Sequence, residues 1–192
     1  WGNIITDSVE YRGLGEGLYF QNIGYVISMI AFYFLPFLFI REKNIYQQIR
    51  NFLKLKINYY LIFIFFLYIV YLVLFFDITT QPILGKGMVH KLSLLLFEHV
   101  HYQSIFTYFA FFVSWLVILL FLNNKVLDTL ILIYFTLISL ISLMFLQEYL
   151  DPLLLILIFL FFRTKLVLNY KMALILFVYF STFLSSSIIF YF

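Results

Sequence analysis

The stretch 18–40, LYFQNIGYVISMIAFYFLPFLFI, runs without a charged residue and is stopped by Arg41-Glu42-Lys43. A helix rises about 1.5 Å per residue, so roughly 20 apolar residues cross the roughly 30 Å of hydrocarbon in a bilayer. The stretch is apolar on every face and shows no period-2 alternation, which excludes the β-barrel pattern and fits a membrane helix. The surrounding sequence repeats this pattern. Further spans are predicted at about 59–76, 103–122, 126–146, 149–162 and 172–192, each bounded by charged or amide residues or by the chain end. The fifth is short, with Asp151-Pro152 in its first turn and Arg163 behind it. The predicted fold class is all-α, a polytopic transmembrane bundle of about six spans in one domain covering 1–192.

Composition agrees with this reading. The chain has 192 residues, 65% hydrophobic and 11% charged, against about 45–50% and about 25% in ordinary soluble domains. A soluble globular enzyme, a disordered chain and a nucleic-acid-binding module are excluded. With no cysteine, disulfides and thiolate chemistry are excluded too. Phe, Tyr, Ile, Leu, Asn and Lys are abundant and Ala is scarce, which suggests an AT-rich genome, bacterial or organellar. The aromatics are therefore not read as a binding surface. The chain opens on Trp1 with no basic segment before an apolar run, so no signal peptide is read. It is expected to be part of a longer protein.

The segment at about 84–101 reads differently. Leu84, Met88, Leu92, Leu95 and Leu96 recur at helical spacing, with Lys86, His90 and Lys91 largely off that stripe, predicting a helix lying in the interface. If it does not cross and the Arg41–Asn58 loop is cytoplasmic, nine of the twelve basic residues fall inside: Arg41, Lys43, Arg50, Lys54, Lys56, Lys125, Arg163, Lys165 and Lys171. That satisfies the positive-inside rule in three separate loops. Seven of the nine acids and all three histidines then lie outside. The expected location is a bacterial inner membrane.

Candidate chemistry therefore concentrates on the outer face, since ionisable groups at the membrane edge are costly. Gln147-Glu148-Tyr149-Leu150-Asp151-Pro152 joins two spans, and only ten residues separate Pro152 from Arg163. That is about 15 Å, half a bilayer, so Glu148 and Asp151 are drawn below the headgroups. Asp before Pro also makes a good helix cap, and capping alone remains the simpler account. Glu98, His99 and His101 could hold a metal or pass a proton, yet His-x-His on a helix aims its rings about 200° apart. Gly85-Lys86-Gly87 with Lys91 could approach a phosphate, or the lysines could snorkel to headgroups. No P-loop, GxGxxG or HExxH pattern occurs. Ser185-Ser186-Ser187 reads as helix-to-helix packing, and Asp128 as a helix-start acid three residues after Lys125.

The stretch QEYLDPLLL (147–155), together with an interfacial helix after the external loop Asp77-Ile78-Thr79-Thr80-Gln81-Pro82, resembles the C-terminal half of polytopic membrane glycosyltransferases of the GT-C type. The resemblance implies a polyprenyl-phosphate-linked sugar donor used on the extracytoplasmic face, its phosphate gripped by basic outer residues, and a carboxylate base. The family's signature acidic motif lies in a first external loop that this sequence does not contain. On the resemblance, Glu148 and Asp151 take accessory catalytic positions, while Lys86, Lys91, His99 and His101 are the substrate-binding candidates. No cofactor and no metal site is identified, and a divalent metal stays open. The expected partners are membrane lipid and the lipid-linked donor, with no nucleic acid. The competing reading is a non-enzymatic transport or structural membrane subunit.

Overall fold

The computed structural model describes residues 18–40, 45–75, 87–122, 126–141, 154, 156–158 and 169–191. All of its described elements are helical: α1 (Gln21–Ile40), α2 (Ile45–Leu53), α3 (Lys56–Phe75), α4 (Gly87–Leu96), α5 (Val100–Leu122), α6 (Val126–Ile138), a 3-10 turn (Ser139–Ile141) and α7 (Tyr170–Tyr191). By length and composition α1, α3 and α5 can each cross a membrane. The fifth expected span lies mostly outside the described residues. Within it, Leu154, Leu157 and Ile158 are buried.

The core is organised around α1. Tyr25, Val26, Ile27, Met29, Ile30, Phe34 and Phe37 are almost wholly buried, so this helix is covered by neighbours on nearly all sides. By contrast, α3 leaves Tyr60, Phe63, Ile64, Leu67, Val70 and Leu74 exposed, as a helix facing lipid should. Ring contacts fix the directions. Tyr25 meets Phe111 edge-on at 5.0 Å and Phe34 meets Phe121 at 4.2 Å, so α1 and α5 run parallel. Phe65 stacks on Trp115 at 5.0 Å while the Tyr108 hydroxyl donates to the Leu72 carbonyl at 3.3 Å, so α3 runs against them. The Tyr19 N–H donates to the Leu140 carbonyl at 2.9 Å, placing the end of α6 beside the start of α1. The end holding Gln21, Phe75 and Val100 is called upper below, and that holding Lys56 and Leu122 lower. Close approach of α1 and α5 depends on Gly24: a Cβ there would collide with the Phe111 ring.

Backbone groups left open in α1 are closed by tyrosines of other helices. At its upper end the Tyr68 hydroxyl donates to the Phe20 carbonyl (2.8 Å) and accepts the Gly24 N–H (2.9 Å). These two groups, four residues apart, would otherwise bond each other in a helix, so Tyr68 bridges the first turn. Further down, Pro36 lies inside α1 and has no N–H to give the carbonyl of Phe32. The Tyr179 hydroxyl of α7 donates to that carbonyl at 3.0 Å. Serine and threonine hydroxyls mostly bond back within their own helix, as Ser28 does to Tyr25, Ser93 to His90 and Thr107 to Gln103. Ser185 follows them, donating to Ser181 of its own helix at 2.9 Å.

Three outcomes follow for stability, measured by SDS-titration unfolding in mixed micelles. Tyr68→Phe should lose about 0.5–2 kcal/mol, since the Gly24 N–H loses its acceptor and the Phe20 carbonyl keeps only the Ile23 N–H. Tyr25→Phe should be neutral or slightly stabilising, because the Tyr25 hydroxyl is buried with no hydrogen-bond partner among the described residues. Tyr179→Phe should cost a similar amount in the parent chain and much less in a Pro36→Ala background, where the Phe32 carbonyl regains a backbone donor. Additive losses in that double-mutant cycle would show that Pro36 and Tyr179 are not coupled.

Candidate functional site

The segment expected to lie flat in the interface is tucked into the bundle instead. Gly87, the first residue of α4, adopts φ +65°, and a Cβ there would collide with Met29 Cε and lie 3.2 Å from its Cγ. The left-handed backbone favours glycine at this position, while the end of the Met29 side chain could shift. Met29 is eight residues into α1, about 12 Å below Gln21, so α4 starts deep between the helices. From there it climbs back toward the upper end. The Phe97 ring sits 5.6 Å from Phe106, and Gln103 Nε2 donates to the Phe97 carbonyl at 2.8 Å, fixing the α4–α5 corner above the start of α5. Phe75 and Val100 thus share the upper end, and α4 is a re-entrant half-helix of ten residues, about 15 Å long.

The faces of α4 are also reversed from the expected arrangement. His90 and Ser93 are buried, Met88, Val89 and Leu92 are half-buried, and Leu94, Leu95 and Leu96 are exposed. The Ser93 hydroxyl donates to the His90 carbonyl of its own helix at 2.7 Å, and the exposed leucines suit apolar surroundings. The stripe has the expected helical period, but its polar neighbours His90 and Ser93 are buried while Leu95 and Leu96 are exposed.

Beneath and alongside α4 lies a cavity of about 370 Å³, lined by Ser28, Phe32 and Leu35 of α1, Met88 and Leu92 of α4, Val113 and Val117 of α5, and Tyr179 and Thr182 of α7, among others. Its lining is overwhelmingly apolar. Ser28, Thr182 and Tyr179 turn their hydroxyls to backbone carbonyls, so they offer little to a polar ligand. Val113 and Thr182 are exposed, leaving the cavity open between α5 and α7. Such a lining, to which Ser114 also contributes, suits an apolar occupant.

The candidate residues fall in three places. His99 and His101 are exposed at the α4–α5 corner, each ring 6.1 Å from that of Tyr102. Glu98 is exposed beside them. Lys91 is half-buried on α4, nearly two turns below that corner. Lys86, Glu148 and Asp151 lie outside the described residues. Among the described residues no three His, Asp or Glu side chains converge as a metal site would need. Asp128, in the first turn of α6, is 1% exposed, with its Oδ2 buried and without a hydrogen bond. Its partner expected from the sequence, Lys125, lies outside the described residues.

Sequence reasoning missed both the cavity and the re-entrant start of α4. The signal available was Gly85-Lys86-Gly87, which was weighed as a phosphate approach rather than as a close contact with another helix. The chain matches no family model, no curated protein and no solved structure.

Proposed function

We propose that the chain is a multi-pass protein of a bacterial inner membrane that holds the hydrocarbon tail of a lipid-linked substrate. The carrying observation is the apolar cavity below a re-entrant half-helix, open toward lipid between α5 and α7. Its volume falls within the about 300–1,000 Å³ of small-molecule sites. The resemblance to GT-C glycosyltransferases names the substrate class as a polyprenyl-phosphate-linked sugar. In that reading the tail lies in the cavity. Lys86, which directly precedes the inward-pointing start of α4, and Lys91 meet the phosphate, helped by the positive end of the helix. His99 and His101 stand at the upper rim, where an acceptor arrives. Glu148 and Asp151 position donor or acceptor hydroxyls from the loop before the fifth span. The non-enzymatic reading draws on the same cavity, since an almost wholly apolar lining binds lipid without acting on it.

In the proposed topology α1, α3, α5, α6, the segment at about 149–162 and α7 all cross, with the upper end outside. The chain lacks cysteine, so single introduced thiols report cleanly. Asp77→Cys and Glu98→Cys should react with a membrane-impermeant maleimide in intact cells, and Gln47→Cys and Lys125→Cys only after permeabilisation. Reaction of position 125 in intact cells would break the six-span arrangement.

Substrate is tested with a photoreactive polyprenyl-phosphate sugar. Cross-linking should map to Leu92, Val113 and Val117, and Val113→Trp, which fills the open side, should suppress it strongly. In membranes containing the complete protein, Glu148→Gln and Asp151→Asn should each slow sugar transfer by about 100-fold, the cost of misplacing a reacting group. Cross-linking with no dependence of transfer on either acid would favour the non-enzymatic reading. Loss of both signals from the cavity would remove the lipid-substrate proposal.

A further inference from the structure

At the lower end, the loop Arg41–Asn58 contains a helix with three distinct faces. Placing successive residues about 100° apart, Gln48 and Phe52 of α2 fall within about 40° of each other, and both are buried. Tyr46, Ile49 and Leu53 fall within about 60°, yet all three are exposed. Gln47, Arg50 and Asn51 form the third face and are exposed as well. The centres of these faces lie about 120° apart, so α2 divides its surroundings into protein, apolar and aqueous thirds.

The helix is held rigidly in that orientation. The Asn58 side-chain amide donates to the Phe52 carbonyl at 2.7 Å, and the Tyr59 hydroxyl donates to the Leu53 carbonyl at 2.9 Å. Asn58 is 1% exposed. Both bonds cap the last turn of α2 from the first turn of α3, so the corner cannot swing freely. Leu55 and Ile57 are also exposed, and they carry the apolar surface onward in sequence to Tyr60 and Ile64 on the lipid side of α3. Arg50, Lys54 and Lys56 are exposed around it, with no acid between Glu42 and Asp77.

We propose that α2 is a binding element for anionic phospholipid. Tyr46, Ile49 and Leu53 insert among the acyl chains at the lower membrane surface, and Arg50, Lys54 and Lys56 engage the headgroup phosphates. Charge complementarity selects an anionic bilayer as the occupant. A second protein docking on this face would meet it in detergent as well as in lipid, which the test separates.

The full chain is labelled with a polarity-sensitive fluorophore at Ile49→Cys or at Asn51→Cys, and reconstituted in phosphatidylcholine alone or mixed with phosphatidylglycerol. The label at 49 should report an apolar environment and that at 51 an aqueous one. Quenching of the label at 49 by spin-labelled phosphatidylglycerol should exceed quenching by spin-labelled phosphatidylcholine by roughly fivefold, the factor that one surface cation contributes. Concentrated salt, which shortens screening to about 3 Å at 1 M, should bring the ratio to parity without any further substitution. The triple change Arg50→Gln, Lys54→Gln, Lys56→Gln should do the same while leaving the unfolding midpoint unchanged. Equal wetness at 49 and 51, a ratio of one in the parent protein, or an apolar signal at 49 that persists in lipid-free detergent only as a dimer would each overturn the proposal.

Discussion

A helix enclosed by other helices in lipid has no water to satisfy its backbone, so each open N–H and C=O needs a protein partner. The core of this structure follows from that constraint on α1. It is the most covered helix, and its ladder is interrupted twice, at Phe20–Gly24 by the bridging Tyr68 hydroxyl and at Phe32 by Pro36. The partners come from α3 and α7 respectively. Each interruption thus fixes the position of another element. Pro36 gives α7 one defined place to dock, and the ring contacts of Phe32 with Tyr179 and Phe183, at 5.0 and 4.7 Å, gather round the same point.

The same logic gives the aromatic residues a structural use that composition alone did not indicate. An AT-rich genome accounts for how many there are, but it does not account for where their polar tips go. Tyr68, Tyr108, Trp115 and Tyr179 each donate to a backbone carbonyl on a different helix, and Tyr59 closes the corner before α3. Tyr and Trp suit this work because a large apolar body fills the interface while one donor reaches across it. Serine and threonine cannot bridge as far and satisfy themselves locally. Helix association here is therefore stitched by aromatic donors at long range, with Gly24 admitting Phe111 at the closest point.

Much of this fold was legible in the sequence, and the limits of legibility are physical. Uninterrupted apolar runs located α1, α3 and α5 within a few residues, because length and hydrophobicity decide crossing regardless of neighbours. The apolar stripe of 84–101 announced a helix, but hydropathy records an apolar face without recording what covers it. Burial of His90 and exposure of Leu95 depend on α1 and α5 being adjacent, and that is long-range information. The reverse happened at α2, whose stripe of Ile45, Ile49, Phe52 and Leu53 stood in plain view but was passed over as a charged loop. Of the proposed site, the sequence offered Lys91, His99 and His101 as residue types, and the structure places them on α4 and at the α4–α5 corner. It could not supply the cavity, since no single segment contains one.

The cavity is the geometric consequence of a helix that stops halfway. Among helices about 30 Å long, α4 occupies about 15 Å, and its lower end is fixed at Met29 by a glycine that tolerates both the φ and the contact. Among the described residues the cavity below that level is lined from α1, α5 and α7, with Leu35 and Val117 facing the space. In water such a gap would fill with solvent or collapse, but an apolar gap opening onto a bilayer draws on the hydrocarbon chains already beside it. If the proposed function holds, a half-helix is an economical way to build a hydrocarbon site. In the proposed reading its upward course carries whatever is attached to that chain toward Phe97 and the histidines at the rim, so the same ten residues would set the place for the tail and the place for the headgroup.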